Sequence, residues 1–158
     1  GKGETNTPEV SPQWVVSLQY SVIWAQIAIT KYDWLIPDHR TTQKLQNLID
    51  EARQVIDHKE ENRAKDLENK IDQLLQDTLK GCMIFLHAEM TCLQCEEAGQ
   101  RNRLDSLIRR LTEGLKTNHP VPELNETADQ LWALINEIRS KGPVSEKHEM
   151  GTRLEIRG

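Results

Sequence analysis

Cys82-x4-His87-x4-Cys92-x2-Cys95 is the run of this chain that carries the ligand types of a zinc site, and Cys92-x-x-Cys95 alone has the spacing of a metal half-site or a redox dithiol. Zinc needs four donors at the corners of a tetrahedron, so all four side chains must reach one point. On an unbroken helix each residue turns about 100°; with Cys82 at zero, His87 lies at about 140°, Cys92 at about 280° and Cys95 at about 220°. Donors spread that way converge only if the helix breaks. No metal ligands are therefore assigned: Cys82 is expected in the core, and Cys92 and Cys95 on the surface. A thioredoxin-like reading of the pair would need a surrounding βαβ pattern, which the sequence lacks.

Other candidate chemistry is sparser. Asn125-Glu126-Thr127 matches a glycosylation acceptor, but the triplet is common by chance and reads better as part of a helix. His39, His58, His87, His119 and His148 are scattered, and neither a nucleophile motif nor a Gly-rich phosphate loop accompanies them. Arg101, Arg103, Arg109 and Arg110 could hold an anion; their alternation with Glu97 and Asp105 favours a solvated helix face. No catalytic or cofactor-binding residue is expected, no cofactor is implied, and the chain reads as a non-enzyme.

Composition narrows the class further. A length of 158 residues suffices for one modest domain with a core that needs neither metal nor disulfides. The net charge of −5 gives no global attraction to phosphate backbones, so nucleic acid is not an expected partner. Three cysteines are an odd number and form no secreted disulfide framework; with no secretory leader pattern visible, a reducing, cytoplasmic setting is expected.

The elements that would position these side chains are helices. Residues 1–10 are polar and turn-prone and are expected to be a disordered linker. Ser11-Pro12 then supplies an N-cap and a first-turn proline for a helix over about 12–35. A strand competes for 12–24, because Trp14, Val16, Leu18, Tyr20, Val22 and Trp24 alternate with their neighbours. Helix is preferred: the run continues to Leu35 without Gly or Pro, and Trp14, Leu18, Val22, Ala25 and Ile29 form a helical stripe. Ser17, Gln19, Ser21, Gln26 and Lys31 interrupt it too often for a membrane span. Trp14, Trp24 and Trp34 are expected to wedge this helix onto others.

Leu45, Leu48, Ile49, Ala52, Val55 and Ile56 then form one apolar stripe, and Ala64, Leu67, Ile71, Leu74, Leu75 and Thr78 a second, joined by the charged turn His58 to Asn62. That is an antiparallel hairpin, with helices over about 39–58 and from about 62. Its second helix is expected to run through Gly81, because Leu79, Cys82, Met83, Leu86, Met90 and Leu93 continue the stripe, and to stop at Gly99. Helices over about 101–116 and 123–141, with Leu104, Leu107, Ile108, Leu111 and Leu115 on one and Leu124, Ala128, Leu131, Leu134, Ile135 and Ile138 on the other, form a second hairpin. It looks like a diverged copy: Leu104, Leu107 and Ile108 match Leu45, Leu48 and Ile49, and one inserted residue then aligns Leu131, Leu134 and Ile135 with Ile71, Leu74 and Leu75. The whole predicts an all-α antiparallel bundle over 11–142, built from two helix hairpins and a long N-terminal helix. Leu48, Ile71, Leu107 and Leu134 lie in its core; an extended tail over 143–158, where Thr152, Leu154 and Ile156 alternate with charged residues as in a short strand, is expected to dock apart from that core if it docks at all.

Trp34-Leu35-Ile36-Pro37-Asp38-His39-Arg40, the first stripe, the charged turn and Leu67-x3-Ile71-x2-Leu74 together resemble the C-terminal helical lid of DnaK-type heat-shock chaperones, which opens on a similar leucine-proline-acidic segment followed by a hairpin. The resemblance implies a lid-like or adaptor module of a chaperone-related protein, acting on a protein or peptide partner through apolar groove residues. The alternative is a small metal- or redox-responsive regulator using Cys82, His87, Cys92 and Cys95.

Overall fold

The computed structural model describes residues 10–141, 150, 151 and 154. Among them are six α-helices and no strand: α1 (Gln13–Lys31), α2 (His39–Asp57), α3 (Glu61–Leu79), α4 (Ile84–Gln94), α5 (Ala98–Lys116) and α6 (Val121–Arg139). Short 3-10 turns follow α1 (Asp33–Leu35) and α3 (Lys80–Cys82). The architecture is the expected all-α one, and the chain divides into two compact units, Gly1–Leu74 and Leu75–Gly158. None of the helices is long and apolar enough to cross a membrane.

The rival strand over 12–24 is resolved in favour of helix. Pro12 ends with its carbonyl accepting from Val15 and Val16, which starts α1. Its buried stripe is Val15, Leu18, Ser21, Val22, Trp24, Ala25 and Ala28, rotated from the expected one: Trp14 and Ile29 are only half-buried. Of the three N-terminal tryptophans, Trp24 alone is fully buried, edge-on to Tyr20 at 5.3 Å between ring centroids. α1 packs on α2. The Ser21 hydroxyl donates to Asp72 Oδ1 at 2.7 Å, tying α1 to α3 through a buried polar link.

The two hairpins correspond element by element. All four of their helices are 19 residues long. Each first helix opens on an acidic N-cap: Asp38 accepts from the Thr41 amide, and Glu97 from the amides of Gly99 and Gln100. Each closes on a residue in the left-handed region, Lys59 at φ 55° and Asn118 at φ 55°. Around Lys59, the amides of Glu60 and Lys59 bond to the carbonyls of Val55 and Ile56; around Asn118, those of His119 and Asn118 bond to Gly114 and Leu115. That is the Schellman pattern, twice. Pro120, before α6, is the one added residue, so the insertion implied by the stripes falls in the turn, where it breaks no helical register.

Two expectations change. Helix three does not run on to Gly99: α3 stops at Leu79, Lys80 takes φ 50°, and α4 restarts at Ile84. The break is made by Lys80 entering a conformation that an L residue rarely adopts, and Gly81 beside it has no left-handed backbone. Gly99, instead of stopping a helix, lies in the first turn of α5 beneath the Glu97 carboxylate. The broken stripe leaves Leu93 67% exposed. Ile71, Leu107 and Leu134 are buried as expected, while Leu48 is half-buried because Leu45, Ile49 and Ala52 take the inner positions of α2. The strand suggested for Thr152 to Ile156 falls mostly outside the described residues. At 150 and 151, however, the chain lies on unit two: a Cβ added to Gly151 would sit 2.6 Å from Met83 Cβ.

The Asp38 carboxyl is held below its ordinary 3.8 by the Thr41 backbone amide and then its side chain. A lowered folded value contributes stability that is present above the unfolded pKa and lost as pH falls through the folded one. Asp38→Ala is expected to lower Tm at pH 7 and to remove part of the acid-side fall, whereas Asp38→Asn keeps the cap but not the pH dependence; melts at pH 7 and pH 3 check both. A second outcome concerns the hairpins, where buried Gly114 stands for Val55 and Leu124 for Ala64, reversing large and small. An added Cβ at Gly114 would meet Leu124 Cδ2 at 2.5 Å. Gly114→Val should cost about 1–3 kcal/mol by overpacking, and Leu124→Ala about 2–5 kcal/mol by leaving a void. The double variant should be more stable than the sum of the two losses; strict additivity in denaturant melts would show that the positions do not share space.

Candidate functional site

Cys82, His87, Cys92 and Cys95 all fall in unit two, and the break after α3 does not bring them together. Among the described residues no group of three His, Cys, Asp or Glu side chains is placed to hold a metal ion. The four side chains have different neighbours. Cys82 closes the 3-10 turn and is half-buried by exposure; the desolvation of its sulfur pushes the thiol up to about 11.

His87 is fully buried on α4. Its Nδ1 lies 2.6 Å from Arg139 Nη2 on α6, its Nε2 meets the Met150 carbonyl, and its ring is edge-on to Trp132 at 5.2 Å between centroids. The Arg139 guanidinium also sits 5.5 Å from the Trp132 ring centroid. Guanidinium only donates, so Nδ1 must be the accepting nitrogen; the carbonyl only accepts, so Nε2 carries the hydrogen. That assigns the imidazole as neutral, with both nitrogens occupied, which is a structural post and a poor metal ligand. It ties α4 to α6 as Ser21 and Asp72 tie α1 to α3. Arg139, Trp132 and Met150 gave no sign of this role in sequence, because their link to His87 spans 45 to 63 positions.

The remaining two cysteines meet at the corner between α4 and α5. Cys92, in the last turn of α4, places Sγ 3.6 Å from Asp105 Oδ1. Cys95 follows that helix with its amide on the Cys92 carbonyl at 3.4 Å and Sγ 3.8 Å from Gln100 Oε1. It is buried, contrary to the expectation that both would be exposed, because its peptide turns inward where α4 ends: the Cys95 carbonyl accepts from Arg101 Nη1 at 2.8 Å. Arg103, Arg109 and Arg110 are exposed, in keeping with a solvated face, and Asn125-Glu126-Thr127 lies within α6.

A different candidate surface stands in unit one. α1 carries apolar residues on more than one side, while α2 is strongly one-sided. A helix of the first kind belongs inside a protein, yet Val16 is 45% and Ile23 36% exposed. Ile23 borders an open groove of about 530 Å³ between α1 and α2, floored by Val22 and Ile56 and edged by Gln19, Gln26, Arg53 and Asp57. Val16 and Ile23 are two helical turns apart, outside the stripe that packs inward; an apolar pair left over after the core face is drawn is the sequence signal for this surface.

Nitrogen-15 correlation spectra at neutral pH should show His87 as the Nε2–H tautomer, with the Nδ1 resonance of an unprotonated acceptor; an Nδ1–H tautomer would contradict the Arg139 contact. No protein-family model, curated protein or solved structure matches this chain, so what the surfaces can do follows from their chemistry.

Proposed function

We propose that this chain is a non-enzymatic helical interaction module, lid-like or adaptor-like and chaperone-related, that binds a polypeptide. The observation that carries the reading is the outward apolar side of α1, where Val16 and Ile23 are exposed and Ile23 borders the groove floored by Val22 and Ile56. Gln19 and Gln26 supply amide donors and acceptors to a peptide backbone along the same edge, and Arg53 and Asp57 offer one charge of each sign. Apolar anchors beside such polar groups suit segments with two or three hydrophobic side chains and little demand for one sequence, as chaperone-related partners present. The heat-shock-lid resemblance of residues 34–76 points the same way, as does the lack of a nucleophile motif or phosphate loop in the sequence. A reducing, cytoplasmic setting and the absence of nucleic acid among the partners belong to the same reading.

Calorimetric titration with a permanently unfolded, carboxymethylated protein tests it. Saturable binding is expected, weakened about tenfold or more by Ile23→Glu or Val16→Glu, and unchanged by Leu93→Glu on α4. Loss of binding in all three variants, or binding in none of the proteins, would sink the groove assignment.

A further inference from the structure

We propose that Cys92 and Cys95 form a dithiol–disulfide couple, a modification site at the α4–α5 corner that a small-molecule disulfide of the glutathione class oxidises. The inference is independent of the polypeptide-binding reading. It rests on how the corner is folded. The bond from the Cys95 amide to the Cys92 carbonyl closes a four-residue turn at the end of α4, and a turn of that kind holds its end α carbons within about 7 Å, the limit for bridging two cysteines. Cys92 Sγ meets Asp105 of α5, while Cys95 Sγ meets the Glu97 carbonyl at 3.5 Å and Gln100 of α5 at 3.8 Å. None of the three cysteines is disulfide-bonded, so the pair is present in its dithiol form.

The order of steps follows from access. Cys92 is half-exposed and Cys95 buried, so the Cys92 thiolate meets the small disulfide first. It attacks one sulfur, a protein–small-molecule mixed disulfide forms, and the first small thiol leaves. The Cys95 thiolate then attacks the Cys92 sulfur, forming the Cys92–Cys95 bond and expelling the second small thiol. Two electrons pass from the protein to the small disulfide, and the two protons lost by the cysteines end on the two released thiols. Closing the bond draws the Cys95 sulfur away from Gln100, whose amide also donates to Glu137 Oε2 on α6 at 3.2 Å. The couple therefore sits in the joint that fixes α5 against its neighbours. Cys82 takes no part, because it lies in the 3-10 turn before α4, at the opposite end of that helix from Cys92 and about 15 Å away at a rise of about 1.5 Å per residue.

The test incubates the native chain, at micromolar concentration, with a graded ratio of oxidised to reduced glutathione, followed by acid quench, thiol counting in denaturant and mass measurement. The expected result is a fall from three thiols to one. The tryptic peptide 81–101 should be lighter by two hydrogens, carry no glutathione, and show Cys82 still alkylatable; dithiothreitol should reverse the change. Cys82→Ser should close the same bond, and Cys92→Ser should not form it. Retention of all three thiols, glutathione left on single cysteines without a link, a link that uses Cys82, or a link between two chains would each overturn the proposal.

Discussion

Two helices with apolar residues on more than one side set the terms for everything around them. In α4, Ile84 to Ala88 are buried in succession, more than a full turn, so no face of that stretch meets water. A helix of this kind is stable only when neighbours cover it from several directions, and an amphipathic helix offers a single stripe. The remedy is a hairpin, since two stripes joined by a short turn cover two sides for one loop closure. Burying each large apolar side chain contributes about 1.5–3 kcal/mol, which outweighs the few tenths available from surface ion pairs such as Arg63 with Glu51. Packing on the leading helix, not charge, therefore fixes the hairpins.

The same plan is carried out twice with different interiors. Where α3 presents Asp72 to Ser21, the matching place in α6 holds Trp132 against His87; where α3 buries Glu68, α6 has Ala128. Each unit has a polar link between its leading helix and the second helix of its hairpin, made from unrelated side chains. A buried donor and acceptor that satisfy each other cost little, while either one left alone costs about 1–3 kcal/mol, so such pairs specify which helix lies beside which. What differs is coverage: α4 is enclosed from Ile84 to Ala88 and exposes Leu93 only in its last turn, while α1 exposes Val16 and Ile23, with a groove beside Ile23. The polypeptide-binding reading depends on that asymmetry.

Much of the fold was legible in the chain. The stripes of α2, α3, α5 and α6, the hairpin turns and the one-residue offset between the two copies all come from spacing over three or four residues, and spacing of that range is what a helix converts directly into a face. Asp38 read as part of the leucine-proline-acidic opening, and it is the cap. The stripe continuing past Gly81 misled, because hydrophobic period survives a change of axis: Met83, Leu86 and Met90 are buried on a helix that is not the continuation of α3.

By itself the sequence determined that these segments are helices and that the chain repeats, since both depend on contacts between near neighbours; the starting residues moved, with Pro12 rather than Ser11 before α1 and Glu97 capping α5. Only the tertiary structure decided which sulfur is buried, which nitrogen of His87 accepts, and which apolar residues of α1 remain outside. Lys80 breaks the helix through a backbone angle that no side-chain pattern records. His87 meets Arg139 only after two turns and two helices have been laid down. The four residues that share zinc-ligand chemistry are separated because each answers to a different neighbour: burial for Cys82, a guanidinium and a carbonyl for His87, and the α5 surface for Cys92 and Cys95. Side-chain chemistry is local, but the company a side chain keeps is fixed by packing across the whole unit.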